Sequence, residues 1–203
     1  ALQEYDPDLV FGFNKMPGLD LYFAADTCFK KEALNKSPLI KFTRRFRQSV
    51  EFEKAVFGSN SSTEVFLLNK KQADDFKSAY QLNPHQMTLV PPGIDFNWSD
   101  HKPIEIHNSF KIPTEDRVAL FVGSDFSRKG LDRAISSIHF LNINHIPFSL
   151  LVIGKDNFGP YSELVDKLAL NERIKFLGPR DDVASIMKSS DLLLHPAREE
   201  AAG

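Results

Sequence analysis

The second half of the sequence alternates in a way that leaves few folds open to it. Val118–Val122, Phe148–Ile153, Ile174–Leu177 and Leu192–Leu194 are short, nearly continuous apolar runs, and between them lie helix-period stretches at Gly130–Leu141, Tyr161–Leu170 and Asp182–Ser189. A strand that is apolar on both sides must be covered on both sides, and a helix between successive strands makes their pairing parallel. A doubly wound α/β sheet is therefore predicted. Gly123, Gly154 and Gly178 directly follow three of the runs. Ligands of such sheets bind outside the carboxyl ends of the strands, so the loops after Val122, Ile153 and Leu177 are expected to line one crevice.

The first half repeats the alternation less regularly. Strands are predicted at Leu9–Phe13, Leu21–Ala24, Val65–Leu68 and Thr88–Val90, with helices from Pro38 to about Phe57 and from Lys70 to Tyr80. Pro91-Pro92-Gly93-Ile94-Asp95, followed by polar and charged residues to about Thr114, has the composition of an interdomain connection. The chain opens without Met and closes on a helix start, Arg198-Glu199-Glu200-Ala201-Ala202-Gly203, so it reads as an internal segment of a longer protein.

Several functional classes fall away. No apolar run approaches the ~20 residues that a membrane-spanning helix needs. Neither G-x-G-x-x-G nor G-x-x-x-x-G-K-[ST] occurs, which argues against a dehydrogenase and an ATPase. Cys28 is the one cysteine and reads as a small buried apolar residue. The six His residues are scattered and Asp6-Pro7-Asp8 reads as a turn, so no metal site is expected.

The loop after the first apolar run of the second half, V-G-S-D-F-S-R-K-G, puts Arg128 and Lys129 side by side where strand gives way to helix. Cations there suit a phosphate or diphosphate, the guanidinium through paired hydrogen bonds and the ammonium as a mobile point charge. A solvated loop pair is the alternative. At the C-terminus, Glu200-Ala201-Ala202-Gly203 offers backbone N–H groups for an anion and a carboxylate for sugar hydroxyls. Cation pair, amide cluster and carboxylate together describe a site for a sugar joined to a diphosphate. His195, just before it, reads as a packed residue closing a strand.

F-N-K-M-P-G-L-D (Phe13–Asp20), P-P-G-I-D (Pro91–Asp95), V-G-S-D-F-S-R-K-G (Val122–Gly130) and D-L-L-L-H-P-A-R-E-E-A-A-G (Asp191–Gly203) resemble the retaining nucleotide-sugar glycosyltransferases of the GT-B fold, family four. More narrowly, they resemble the lipopolysaccharide core glucosyltransferases that add glucose to inner-core heptose. The resemblance implies two Rossmann-like domains, each partly present. Residues 1–92 would be the later part of the acceptor-side domain, 93–114 the connection, and 115–203 the first part of the nucleotide-sugar domain. Arg128 and Lys129 would neutralise the donor diphosphate, and Glu200 would be the first Glu of an E-x7-E motif holding glucose hydroxyls. Gly123, Gly178, Arg180, Ala202 and Gly203 would complete the donor site. Asp26 would meet the transferred sugar and acceptor. Asp20 would share that role, with a turn or cap function as its alternative. UDP-glucose and a lipid-anchored oligosaccharide would be the substrates, without a metal or other cofactor, and the isolated segment would be inactive. A related transferase with another donor or acceptor, or a non-catalytic two-domain sugar-binding protein, is the alternative.

Between Phe29 and Phe57 the charge departs from the overall balance of −2. Lys30, Lys31, Lys36, Lys41, Arg44, Arg45, Arg47 and Lys54 face only Glu32, Glu51 and Glu53, while Leu39, Phe42, Phe46 and Val50 recur at helical spacing. One basic amphipathic helix is predicted, its apolar stripe packed on the first sheet and Lys41, Arg44, Arg45 and Arg47 turned to an anionic membrane surface, with an ordinary surface helix as the alternative. An enzyme of this kind would be peripheral, at the cytoplasmic face of the inner membrane. With an acidic overall balance and no nucleic-acid motif, no nucleic-acid partner is expected.

Overall fold

The computed structural model describes residues 7–93, 100–198 and 200. The chain divides into two compact units, Ala1–Gly93 with Glu200–Gly203, and Ile94–Glu199. Among the described residues each unit holds a four-stranded sheet whose strand pairs are all parallel.

In the first unit the strands β1 (Phe11–Gly12), β2 (Leu21–Ala24), β3 (Glu64–Leu67) and β4 (Met87–Leu89) lie in the order β1-β2-β3-β4. β2 has the predicted bounds. β1 is shorter than the predicted Leu9–Phe13 because only Phe11 and Gly12 pair with β2, while Leu9 and Phe13 are exposed. Asp20 closes the loop between them: its Oδ2 accepts from Val10 N at 2.7 Å and its own N–H donates to the Val10 carbonyl at 3.0 Å.

Helices α1 (Phe29–Lys36) and α2 (Arg44–Phe57) join β2 to β3, and α3 (Lys70–Tyr80), with its predicted bounds, joins β3 to β4. The helix expected from Pro38 to about Phe57 thus begins only at Arg44, and a separate helix precedes it. Ser37 precedes Pro38, and the residue before a proline is driven to extended backbone; its φ is −159° and it ends α1. A 3₁₀ turn at Pro38–Phe42 follows, and Thr43 then caps α2 by accepting from Phe46 N at 3.2 Å. The expected apolar stripe breaks with it. Phe46 is buried, but Leu39 and Phe42 are 73% and 70% exposed.

The first core is aromatic. Phe57 stacks on Phe76 at 3.8 Å between centroids and meets Tyr22 edge-on at 5.6 Å, with Val56, Val65, Leu67 and Leu82 around them. Cys28 is buried there as expected, and burial pushes its thiol up to about 11, with Glu53 adding to the shift.

In the second unit β5 (Arg117–Val122), β6 (Phe148–Ile153), β7 (Ile174–Gly178) and β8 (Leu192–Leu193) take the order β7-β6-β5-β8. Alternate residues of β5 serve opposite faces. Ala119 and Phe121 pack with α6 (Leu131–Ile143) and the flank of α7 (Gly159–Lys167). Val118 and Leu120 pack with Ile106, Ile112 and Ile186 from α4 (Ile106–Phe110), the turn after it, and α8 (Val183–Ser189). The predicted connection 93–114 is revised accordingly. From Ile104 onward it is part of the second core, because its isoleucines cover one face of the sheet.

These packings predict a contrast within one basic segment. Phe57→Ala, which removes a fully buried ring, should cost about 3–5 kcal/mol in a denaturant melt. Phe42→Ser should change stability by no more than about 0.5 kcal/mol.

Candidate functional site

The strand order of the second unit turns round at β5. The chain proceeds from β5 outward through β6 to β7, then returns to place β8 on the other side of β5. The crevice of such a sheet lies at this reversal, outside the carboxyl ends of the two strands that flank it. The loop after β8 thereby joins the site, beside the three loops expected from the sequence.

The loop after β5 is a chain of constrained turns. Gly123 has φ +156°, Asp125 is left-handed at φ +58°, and Gly130 is left-handed at φ +77°. Between them α5 (Phe126–Lys129) makes one turn. Asp125 caps it, accepting from Arg128 N at 3.3 Å, and its other oxygen accepts from Arg128 Nε at 3.0 Å. Phe126 is fully buried against Phe121, Phe158 and Tyr161 and anchors the turn in the core. Arg128 stays exposed while Lys129 is half-buried, its aliphatic stem lying against Gly123.

Neighbouring loops hold this one in place. A Cβ on Gly130 would run into the Pro196 carbonyl, and a Cβ on Gly154 into that of Gly123, so backbone meets backbone at both contacts. Arg198 N donates to the Arg128 carbonyl at 2.8 Å. The Arg198 guanidinium donates to the Ser127 carbonyl at 2.6 Å and to both oxygens of Asp132 at 2.9 and 2.6 Å. This paired hydrogen bond holds the Asp132 carboxyl below the usual carboxylate range. From the loop after β6, Asp156 Oδ2 accepts from Phe126 N at 2.6 Å, and its other oxygen from Asn157 N; these bonds lower its pKa.

The structure brings Gly123, Arg128 and Lys129 together with the loops after β6 and β8. Gly178 adjoins them through its carbonyl, which accepts from Gly154 N at 3.0 Å. Arg180 is bound in a two-point pair to Asp182 at 2.7 Å and lies 5.5 Å from the Phe110 ring centroid. His195 and Glu200 are half-buried; Ala202 and Gly203 lie outside the described residues. Lys41, Arg44, Arg45 and Arg47 are all exposed. In the first unit Asp20 serves the loop closure described above. Asp26, just beyond the carboxyl end of β2, carries a 59% exposed side chain held by Lys15 Nζ at 2.9 Å and the Tyr22 hydroxyl at 3.1 Å.

Sequence reasoning passed over the carboxylates that hold the loops. Asp125 carries a local signal, an Asp three residues before the first bonded N–H of a short helix. Asp132, Asp156 and Arg198 act across the fold and carry none. Among the described residues no group of three or more His, Cys, Asp or Glu is gathered as a metal site would require, and no helix is long and apolar enough to cross a membrane.

Comparison with known proteins agrees with this geometry. Residues 103–203 match the glycosyl transferases group 1 family. Across its full length the chain is 41% identical to the lipopolysaccharide glucosyltransferase WaaG of Escherichia coli (strain K12), of which it spans 56%. Residues 103–203 therefore form a glycosyl transferases group 1 domain. The crystal structure of WaaG, a glycosyltransferase involved in lipopolysaccharide biosynthesis, superposes with a TM-score of 0.86 at 39% identity, over 100% of this chain and 56% of that one. Anabaena HepE in complex with UDP and glucose shares the fold at a TM-score of 0.65 and 19% identity, over 90% of this chain and 48% of that one. The expected α/β class, with parallel sheets in a GT-B glycosyltransferase fold, is what the structure has.

The loop contacts of the second unit carry a pH signature. The Asp156 carboxyl titrates lower folded than unfolded, so its stabilising effect is complete above the ordinary carboxylate value of about 3.9 and fades as pH falls through the folded value. Asp156→Asn should therefore lower the melting temperature at pH 7, and the gap to wild type should close on acidification. Thermal melts across a pH series check this.

Proposed function

We propose that the full-length protein transfers glucose from UDP-glucose to a heptose of the lipopolysaccharide inner core, with retention of anomeric configuration. The observation that carries this reading is the meeting of the Arg128–Lys129 loop with the loop after β8 at the strand-order reversal, in a chain 41% identical to E. coli WaaG. Breaking the bond between glucose and UDP leaves negative charge on the diphosphate. Arg128, steered by Asp125, and Lys129, steadied against Gly123, stabilise that charge as it develops. No metal cofactor is proposed, since the two cations take the charge-neutralising role. Glu200 binds glucose hydroxyls, Gly178 and Arg180 line the uracil end, and Asp26 orients the acceptor.

The acceptor is anchored in lipid, so the enzyme works at an anionic surface on the cytoplasmic face of the inner membrane. The broken basic segment suits that role better than a continuous helix. Leu39 and Phe42 project from the 3₁₀ turn, and the Lys41 ammonium lies 5.2 Å from the Phe42 ring centroid. Exposed Arg44, Arg45 and Arg47 follow in the first turn of α2. Each cation near such a surface contributes about 1 kcal/mol, and the two apolar side chains add burial that salt does not screen.

Arg128→Ala or Lys129→Ala in the full-length enzyme should lower kcat by on the order of a hundredfold with little change in melting temperature. Near-wild-type turnover in both variants would remove the diphosphate role. In co-sedimentation with anionic vesicles, binding should weaken with salt, and Leu39→Ser with Phe42→Ser should weaken it further. Binding unaffected by either change would leave the segment an ordinary surface.

A further inference from the structure

Beneath Asp26 lies a buried ionic group that the donor chemistry does not use. Lys15, from the F-N-K-M-P-G-L-D stretch, has a side chain only 10% exposed, and each hydrogen of its ammonium has an acceptor. Glu53 Oε1 is at 2.7 Å, Asp26 Oδ2 at 2.9 Å and the Thr27 carbonyl at 3.1 Å. The ammonium also lies 5.3 Å from the Phe76 ring centroid. Burial opposes its charge, but Glu53 and Asp26 outweigh that and its pKa is raised.

Glu53 is wholly buried and saturated. Besides Lys15 it accepts from Phe29 N at 2.8 Å, Lys30 N at 3.0 Å and the Tyr80 hydroxyl at 2.6 Å. It thereby caps α1 and ties together α2, α1 and α3. Asp26 differs. Lys15 and the Tyr22 hydroxyl each hold one of its oxygens, and Gln72 Nε2 holds its carbonyl at 2.6 Å. Its side chain nevertheless remains 59% exposed. A buried ion pair contributes little net stability compared with apolar residues of the same shape. What the Lys15–Glu53 pair does supply is direction, because an exposed carboxylate with one oxygen fixed from below presents its remaining lone pairs at a defined angle.

We infer that Lys15 is a positioning residue: braced by Glu53, it fixes the Asp26 carboxylate so that it accepts a hydrogen bond from a hydroxyl of the saccharide acceptor. The inference rests on the acceptor-side role of Asp26 proposed above. Misplacing a reacting group by about 1 Å is enough to cost about a hundredfold in rate, so a support of this kind acts on kcat.

The test is a double-mutant cycle on the full-length enzyme with Lys15→Met, Asp26→Asn and both together, read as kcat and the KM for UDP-glucose. Lys15→Met should lower kcat about tenfold or more, leave the donor KM within about twofold, and add nothing to the loss in Asp26→Asn. Lys15→Arg should restore part of the rate. Because Lys15→Met strands a buried carboxylate, thermal melts accompany the kinetics, and Lys15→Arg, which keeps a cation for Glu53, should keep the fold while showing a partial kcat defect. Asp26→Asn impaired with Lys15→Met near wild type, or losses that multiply, would overturn the role of Lys15 and leave that of Asp26 standing. Asp26→Asn near wild type would overturn the acceptor-side reading itself. Unfolding of both Lys15 variants would show Lys15 to be a structural group and overturn its positioning role.

Discussion

The second unit depends on β5 having a parallel neighbour on each side. Pairing with β6 alone would leave one edge of β5 open; pairing with β8 as well closes that edge and brings the chain back to the starting point of the sheet. Two consequences follow from that one topological fact. The hydrophobic residues of β5 are covered on both faces, and the loop after β8 lands on the loop after β5, where Gly130 and Pro196 meet backbone to backbone. A side chain at Gly130 would hold the loops apart, and without the second loop the cations would stand on an unsupported turn. The placement of Arg128 and Lys129 is therefore a property of the sheet as much as of the R-K-G sequence.

The first unit is organised by a different force. Its sheet has short strands, and a buried carboxylate does what longer strands would otherwise do. Glu53 draws in the first two N–H groups of α1, the Tyr80 hydroxyl of α3 and the Lys15 ammonium, so three helices and the loop after β1 share one anchor. Leaving any of those donors unsatisfied in the interior would be costly, which makes the arrangement specific. Around it the Phe57–Phe76 stack and Tyr22 supply the apolar burial.

What could be read from the sequence follows the range of the interactions. Runs such as Phe148–Ile153 and Leu21–Ala24, and the helix Lys70–Tyr80 capped by Asn69, are determined locally and were legible to the residue. The R-K-G cations were legible because charge at a strand-to-helix junction is a local pattern. Helix α1 was not, since Cys28 gives no side-chain cap and the capping carboxylate comes from Glu53, far along the chain. Pro38 reads as the opening of a long helix; it also forces Ser37 out of helical backbone, and Thr43 restarts the helix. The loop-holding carboxylates Asp132 and Asp156, and Lys15 beneath Asp26, belong to contacts that only the fold creates.

The role proposed for these elements is transfer of a sugar from a uridine diphosphate. Its most direct test is product analysis with the full-length protein, a heptose-containing lipopolysaccharide acceptor and a panel of UDP- and GDP-sugars. The account predicts a single added glucose, from UDP-glucose, in the same anomeric configuration as in the donor. A clear preference for a GDP-sugar, or an inverted linkage, would contradict it.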